Sequence, residues 1–141
     1  MRDVAIVGAG MHPWGKFEDK PLTLMCRAAV DAALADAGIA WNQIEAISAG
    51  SSRFSGGFGW GLNGNEIAMD IGLNGVPVYN LSAGCATGGS ALSVGHMLVA
   101  SGMCDTVLVV AGEKMPRGFL PTSGAEATPR TSSSCSGPAR V

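Results

Sequence analysis

The chain has 141 residues, enough for one domain with a core of its own. Its composition is 47% apolar and only 14% charged, with 21 glycines, which implies that part of its surface meets protein rather than water. A net charge of −2 without any run of lysine or arginine argues against nucleic acid or an anionic membrane as a partner.

Met1-Arg2-Asp3 leads straight into a strand pattern rather than a signal peptide, and no apolar stretch nears the roughly 20 residues needed to span a bilayer. The expectation is a cytoplasmic protein with no membrane span. The four cysteines, Cys26, Cys85, Cys104 and Cys135, show no CxxC spacing and no accompanying histidine cluster, so neither a disulfide framework nor a metal site is expected.

Residues 3–7 form a short apolar run that ends in Gly8-Ala9-Gly10, the pattern of a fully buried first strand entering a loop. Leu22, Met25, Ala29, Ala33 and Ala37 then recur at helical spacing, and Gly38 supplies the stop. Residues 44–49 predict a second strand, followed by a long glycine-rich loop through residue 61 of the kind that is mobile or binds. A short helix is predicted over 66–71.

The next strand is predicted over 76–81, from Val76 to Leu81. Pro77, which cannot donate to a ladder, places it at a sheet edge or at a strand start, and an edge invites a partner. A helix over 86–100 follows, with Leu92, Val99, Ala91 and Gly95 assigned to one side and Gly102 as its stop; 106–110 is a β-branched run expected to be a central strand. The order β-α-β-α-β-α-β calls for an α/β fold, a mostly parallel layered sheet with helices on its faces. Residues 121–141 are expected to form a disordered tail; over 127–141 Ser, Thr, Pro and Arg are in excess with no apolar period. The abrupt change of composition after Glu126 is also what a change of reading frame would produce.

Cys85 is the leading candidate for chemistry. A strand, a tight Ser82-Ala83-Gly84 turn and a helix starting near Ala86 put its sulfur at the amino end of that helix, where unpaired N–H groups and the dipole favour thiolate. Gly84, Gly88 and Gly89 leave room there for a substrate carbonyl. The competing reading is an inert cysteine buried at a strand–helix junction. His96 lies eleven residues on, roughly 16 Å along the same helix at 1.5 Å per residue, too far to serve Cys85. His12, in the loop after the first strand, shares the carboxyl edge of the sheet with Cys85 and stays open as a base or as a structural histidine.

Gly8-Ala9-Gly10 opens like a dinucleotide fingerprint, but Pro13 stands where its third glycine belongs, which argues against a nucleotide site. Cys26 and Cys104 read as core fillers, Met25, Met69 and Met97 as packing, and Asn80-Leu81-Ser82 as a glycosylation triplet without a secretory context.

The run from Asn80 to Leu92, Asn-Leu-Ser-Ala-Gly-Cys-Ala-Thr-Gly-Gly-Ser-Ala-Leu, resembles the nucleophile segment of the thiolase superfamily, in its sterol-carrier-protein and lipid-transfer branch. The opening 3–10 with Trp14-Gly15-Lys16-Phe17, and the stretch 107–115 ending in Glu113-Lys114-Met115, resemble that family in the same order. The resemblance covers residues 1–120, as a thiolase-like amino-terminal half. It implies Cys85 as the residue acylated by an acyl-CoA thioester, with its own N–H helping to hold the oxyanion. It implies thiolysis of a 3-ketoacyl-CoA or the reverse Claisen condensation, with coenzyme A thioester as substrate and no bound cofactor.

The two histidines and second cysteine of the family's carboxyl-terminal motifs have no match here, so the chain is expected to be inactive alone. Relatives often carry Asn or another polar residue where this chain has Ser82-Ala83-Gly84. The resemblance further implies a homodimer through the 76–81 edge strand and allows a hetero-complex with an OB-fold acyl-CoA-binding chain. Two alternatives stand beside this reading: a ketoacyl-synthase-like condensing enzyme, and a noncatalytic lipid-binding or partner-binding remnant.

Overall fold

The computed structural model describes residues 2–51 and 63–115. In chain order the elements are helix α1 (Leu22–Ala37), a 3-10 turn (Trp41–Gln43), strand β1 (Ala46–Gly50), helix α2 (Gly64–Ile71), strand β2 (Val78–Leu81), helix α3 (Thr87–Ala100) and strand β3 (Val107–Ala111). The glycine-rich stretch between β1 and α2 and the tail over 121–141 lie outside the described residues.

The three strands form one parallel sheet in the order β2-β1-β3. The α/β fold is therefore as expected, with β1 in the middle, buried along its whole length. The run expected to be a central strand, β3, is an edge of the sheet among the described residues; its neighbour on one side is β1, and no described strand pairs on the other. β2 is the opposite edge, in line with Pro77, whose carbonyl accepts from the Ile47 N–H at 3.0 Å while its ring nitrogen has nothing to donate.

The period of two along each strand sorts the layers. Ala46, Ser48 and Gly50 of β1 face α3: Ala46 packs with Leu98 and Cys104, and the Ser48 hydroxyl donates to the Ala91 carbonyl at 2.8 Å. Ile47 and Ala49 face the other way, into a core with Leu22, Cys26, Val30, Ile67, Leu108 and Val110. One helix thus covers one face of the sheet, and α1 and α2 cover the other.

α1 runs as predicted and ends at Gly38, whose φ of 68° is the left-handed turn that favours glycine. Its Leu22, Cys26 and Val30 are buried. α2 is fixed by the sequence at its start: Asn63 caps the Asn65 N–H at 2.9 Å, and Glu66 reaches back to the Asn63 N–H. The inward side of α3 is Thr87, Ala91, Gly95, Leu98 and Ala100. Leu92, assigned by spacing to that side, is on the outer face, and Met69 and Met97 are exposed rather than packed, while Met25 does pack against the core.

The predicted first strand does not form. Residues 3–7 carry no ladder, and Ile6 and Val7 are 77% and 64% exposed. The segment is held by other means. The Arg2 N–H donates to the Ala100 carbonyl, and the Arg2 guanidinium bonds the Val99 and Cys104 carbonyls and Asp105, which ties it to the end of α3. Further on, the Ala9 N–H donates to Asp36 at 2.9 Å, and Gly8 and Gly10 lie against α1, where a Cβ would collide with the backbone of Ala33 and Ala29. An apolar run becomes a strand only where a neighbour offers a ladder, and among the described residues no strand pairs with 3–7.

Candidate active site

Cys85 follows β2 by four residues and precedes the first helical residue of α3 by two, so the sheet's carboxyl edge carries it. It is exposed, whereas Cys26 and Cys104 are buried. Burial raises the Cys26 thiol to about 11, and burial followed by the charges of Glu45 and Asp105 raises Cys104, against a smaller lowering by Arg2. Both are thereby held as neutral core thiols, as expected of them.

The turn that presents Cys85 is made by small residues and one threonine. The Ala86 N–H donates to the Ala83 carbonyl at 3.1 Å and the Thr87 N–H to the Gly84 carbonyl at 3.2 Å, with Gly84 at φ 57°. Thr87 itself is buried, and its Oγ1 accepts from the Ala83 N–H at 2.8 Å and donates to the Gly84 carbonyl at 2.7 Å. Gly50 lies under this helix start: a Cβ there would stand 2.5 Å from the Thr87 methyl. Thr87 and Gly50 were not singled out as site residues by the sequence reading. The signal available was the threonine two residues past the cysteine, at the helix start, where hydroxyl side chains bond the local backbone.

The histidines are not brought to the thiol. His12 is tied within its own loop: Nδ1 lies 2.9 Å from the Pro13 carbonyl and Nε2 2.9 Å from the Lys20 ammonium, with Phe17 edge-on at 4.7 Å. Since the ammonium can only donate, Nε2 accepts and the proton sits on Nδ1. Lys114 closes the same loop by donating to the Glu18 and Lys20 carbonyls at 2.9 and 3.0 Å. His96 is exposed on α3, and among the described residues no hydrogen bond joins Cys85 to either imidazole. Among those residues there is also no group of three or more His, Cys, Asp or Glu side chains able to hold a metal ion, and no helix long and apolar enough to cross a membrane.

Asn80, noted only as part of a glycosylation triplet, has a structural task. Its Oδ1 accepts from the Gly64 N–H at 2.8 Å and its Nδ2 donates to Asn65 at 3.2 Å, so β2 holds the start of α2. Gly8 and Gly10, the apparent dinucleotide signature, are contact points with α1.

A parallel sheet layered between helices, with an exposed thiol at its carboxyl edge, is an arrangement found in a known class of fold. The chain superposes on 3-oxoacyl-[acyl-carrier-protein] synthase III from Aquifex aeolicus VF5 with a TM-score of 0.54 at 22% identity, over 65% of this chain and 29% of that one. It shares the α/β fold of that synthase. Within that class, the thiolase N-terminal domain model matches residues 4–130, and the chain belongs to the thiolase family. It is 32% identical to sterol carrier protein 2 of Gallus gallus over 130 residues, which is 90% of this chain and 23% of that protein. It is 34% identical to an acetyl-CoA acetyltransferase of Methanothermobacter thermautotrophicus over 122 residues, 86% of this chain and 32% of that one. The chain therefore spans 23% to 32% of the length of these relatives.

Proposed function

We propose that this chain is the nucleophile-bearing part of a thiolase-type acyltransferase, with Cys85 accepting an acyl group from a coenzyme A thioester. The observation that supports the reading best is the exposed Cys85 thiol beside the start of α3, in the family-matching part of the chain. In the step proposed, the Cys85 thiolate attacks the thioester carbonyl, and the negative charge passes to the carbonyl oxygen beside the helix's first N–H groups. Collapse of that adduct forms the S-acyl cysteine and breaks the bond to coenzyme A, which leaves as its thiolate. Thiolysis and Claisen condensation would both proceed from that acyl-enzyme.

The remaining acid–base groups belong to the larger part of the relatives that this chain does not span, so turnover by this chain alone is not part of the proposal. A homodimer through β2 is the accompanying proposal, supported by its position at the sheet edge; an OB-fold acyl-CoA-binding chain is a further partner of the same reading, and the cytoplasm its compartment. The second reading is a noncatalytic remnant that binds lipid or a partner chain.

One experiment separates the two. The chain is incubated with acetyl-CoA and with a long-chain acyl-CoA, and the Cys85 peptide is weighed for a thioester adduct. A hydroxylamine-labile acyl group on that peptide, absent from Cys85→Ala, supports the nucleophile; an unmodified Cys85 at millimolar acyl-CoA leaves the remnant reading standing.

A further inference from the structure

α3 begins in an unusual way for a helix with a threonine at hand. Its N-cap position is Ala86, which makes no side-chain cap, while Thr87, a residue type suited to capping, stands one place later, at the first helical position. From there its hydroxyl points upstream rather than into the helix. It accepts from the Ala83 N–H and donates to the Gly84 carbonyl, the two residues immediately before Cys85. Two things follow. α3 has no side-chain cap at its N-cap position, and the turn before it is closed by the hydroxyl of a residue that is itself only 4% exposed.

The other end of the same side chain is also fixed. The Thr87 methyl faces Gly50, and the room is so limited that a Cβ on Gly50 would stand 2.5 Å from it and 3.3 Å from the Thr87 carbonyl oxygen. Gly50 is in turn the last residue of β1, and its carbonyl accepts from the Gly112 N–H just past β3 at 3.2 Å. A chain of contacts thus runs from the middle of the sheet through Gly50 and Thr87 to the Cys85 turn. The turn itself, Ser82-Ala83-Gly84-Cys85, is exposed.

We infer that Thr87 is a positioning residue for Cys85: its hydroxyl, bonded to both residues before the cysteine, holds the thiol-bearing turn against the start of α3 and so sets the reactivity of the sulfur. This inference rests on the nucleophile reading for its biological meaning, but its geometry does not. Thr87 touches no substrate in this role and acts only through Cys85.

The test uses the whole chain and reads the alkylation rate of the Cys85 peptide by iodoacetamide, followed by mass so that Cys26, Cys104 and Cys135 are counted apart, from pH 6 to 10. Thr87→Val keeps the shape of the side chain and removes the hydroxyl; Thr87→Ala removes both; Thr87→Ser keeps the hydroxyl and removes the methyl. The expected result is that the rate at pH 7 falls at least fivefold in Thr87→Val and Thr87→Ala. Thr87→Ser stays within twofold of the parent, and Gly50→Ala, which keeps the hydroxyl but displaces it, shows the same fall as Thr87→Val. A role in packing alone gives the opposite order, with Val near the parent and Ser impaired, and that order overturns the inference. So does a Thr87→Ala chain, folded by circular dichroism, whose profile is within twofold of the parent throughout. Failure of acetyl-CoA to acylate Cys85 in the parent chain sinks the nucleophile reading instead, and leaves the alkylation comparison able to decide on Thr87.

Discussion

Gly95 is the point where α3 comes closest to the sheet, and replacing it with alanine tests that approach directly. A Cβ at Gly95 would lie 2.5 Å from a methyl of Val109 and 3.6 Å from one of Val107. Carbon atoms in contact settle at roughly 3.5–4.0 Å, so helix and strand must part by about 1 Å or Val109 must leave its rotamer, which a β-branched side chain resists. Alanine in a helix interior gains about 0.5–1 kcal/mol over glycine, and overpacking a filled contact costs about 1–3 kcal/mol, which leaves a net loss centred on ~1 kcal/mol. Gly89, in the same helix with nothing within 4 Å of its would-be Cβ, is the control; Gly89→Ala should be neutral or more stable than the parent. Urea unfolding followed by far-UV circular dichroism reads both, and with a slope of ~1–2 kcal/mol per molar the Gly95→Ala midpoint should fall by roughly 1 M. A Gly95→Ala midpoint at or above the parent's, with Gly89→Ala behaving as stated, would refute the seating of α3 on β3 at this distance.

Cys26 makes stability depend on pH. Its thiol is raised from 9.0 to about 11 in the fold, so as pH climbs past 9 the unfolded chain loses this proton before the folded one does. Stability conferred by the neutral buried thiol is whole below pH 9 and is lost by about pH 11, a decline of roughly 2–3 kcal/mol that Cys26→Ala should remove from the urea-unfolding profile. Ser48→Ala deletes the buried bond to the Ala91 carbonyl. It should cost about 1 kcal/mol, seen as a melting temperature several degrees lower. Asn80→Ala leaves the Gly64 N–H without its acceptor. Amide exchange at Gly64 and Asn65 should quicken by about tenfold, with exchange in the middle of α1 unchanged, and equal acceleration in both helices would count against a local role.

Much of the fold is legible in the residues because the signals are local. α1 could be bounded from its apolar spacing and Gly38, and Pro77 could be read as marking an edge or a strand start, of which β2, beginning at Val78 on one side of the described sheet, shows both. The errors fall where a local pattern depends on a distant partner. Residues 3–7 have the composition of a strand, but a strand is a relation between two backbones, and among the described residues no strand pairs with them; the segment is tied at its two ends, by Arg2 to Ala100 and by Ala9 to Asp36. The same holds for β3, whose β-branched run suits a central strand and which lies at an edge among the described residues. Leu92 was misplaced for a different reason: α3 carries small and apolar residues all round, so its inner face is marked by Ala91 and Gly95 fitting closely against β1 and β3, not by hydrophobicity.

The site divides along the same line. Cys85 could be placed at the carboxyl edge of the sheet because strand, small-residue turn and helix follow one another within a dozen residues. What holds the sulfur there could not, since Gly50 and Thr87 are 37 residues apart and meet only because β1 and α3 are stacked. Gly50 reads as the first residue of a flexible loop, and only the missing Cβ space over Thr87 shows that it is a contact surface. A glycine chosen for closeness and a glycine chosen for freedom are the same letter, and the distinction rests on what a side chain would strike. At Gly50 it strikes the residue that closes the Cys85 turn, whereas at Gly84, with φ 57° and nothing within 4 Å, it would strike nothing and the backbone angle alone is the requirement. Alanine at either position should therefore disturb the thiol by different routes, one by pushing the start of the helix and the other by straining the turn.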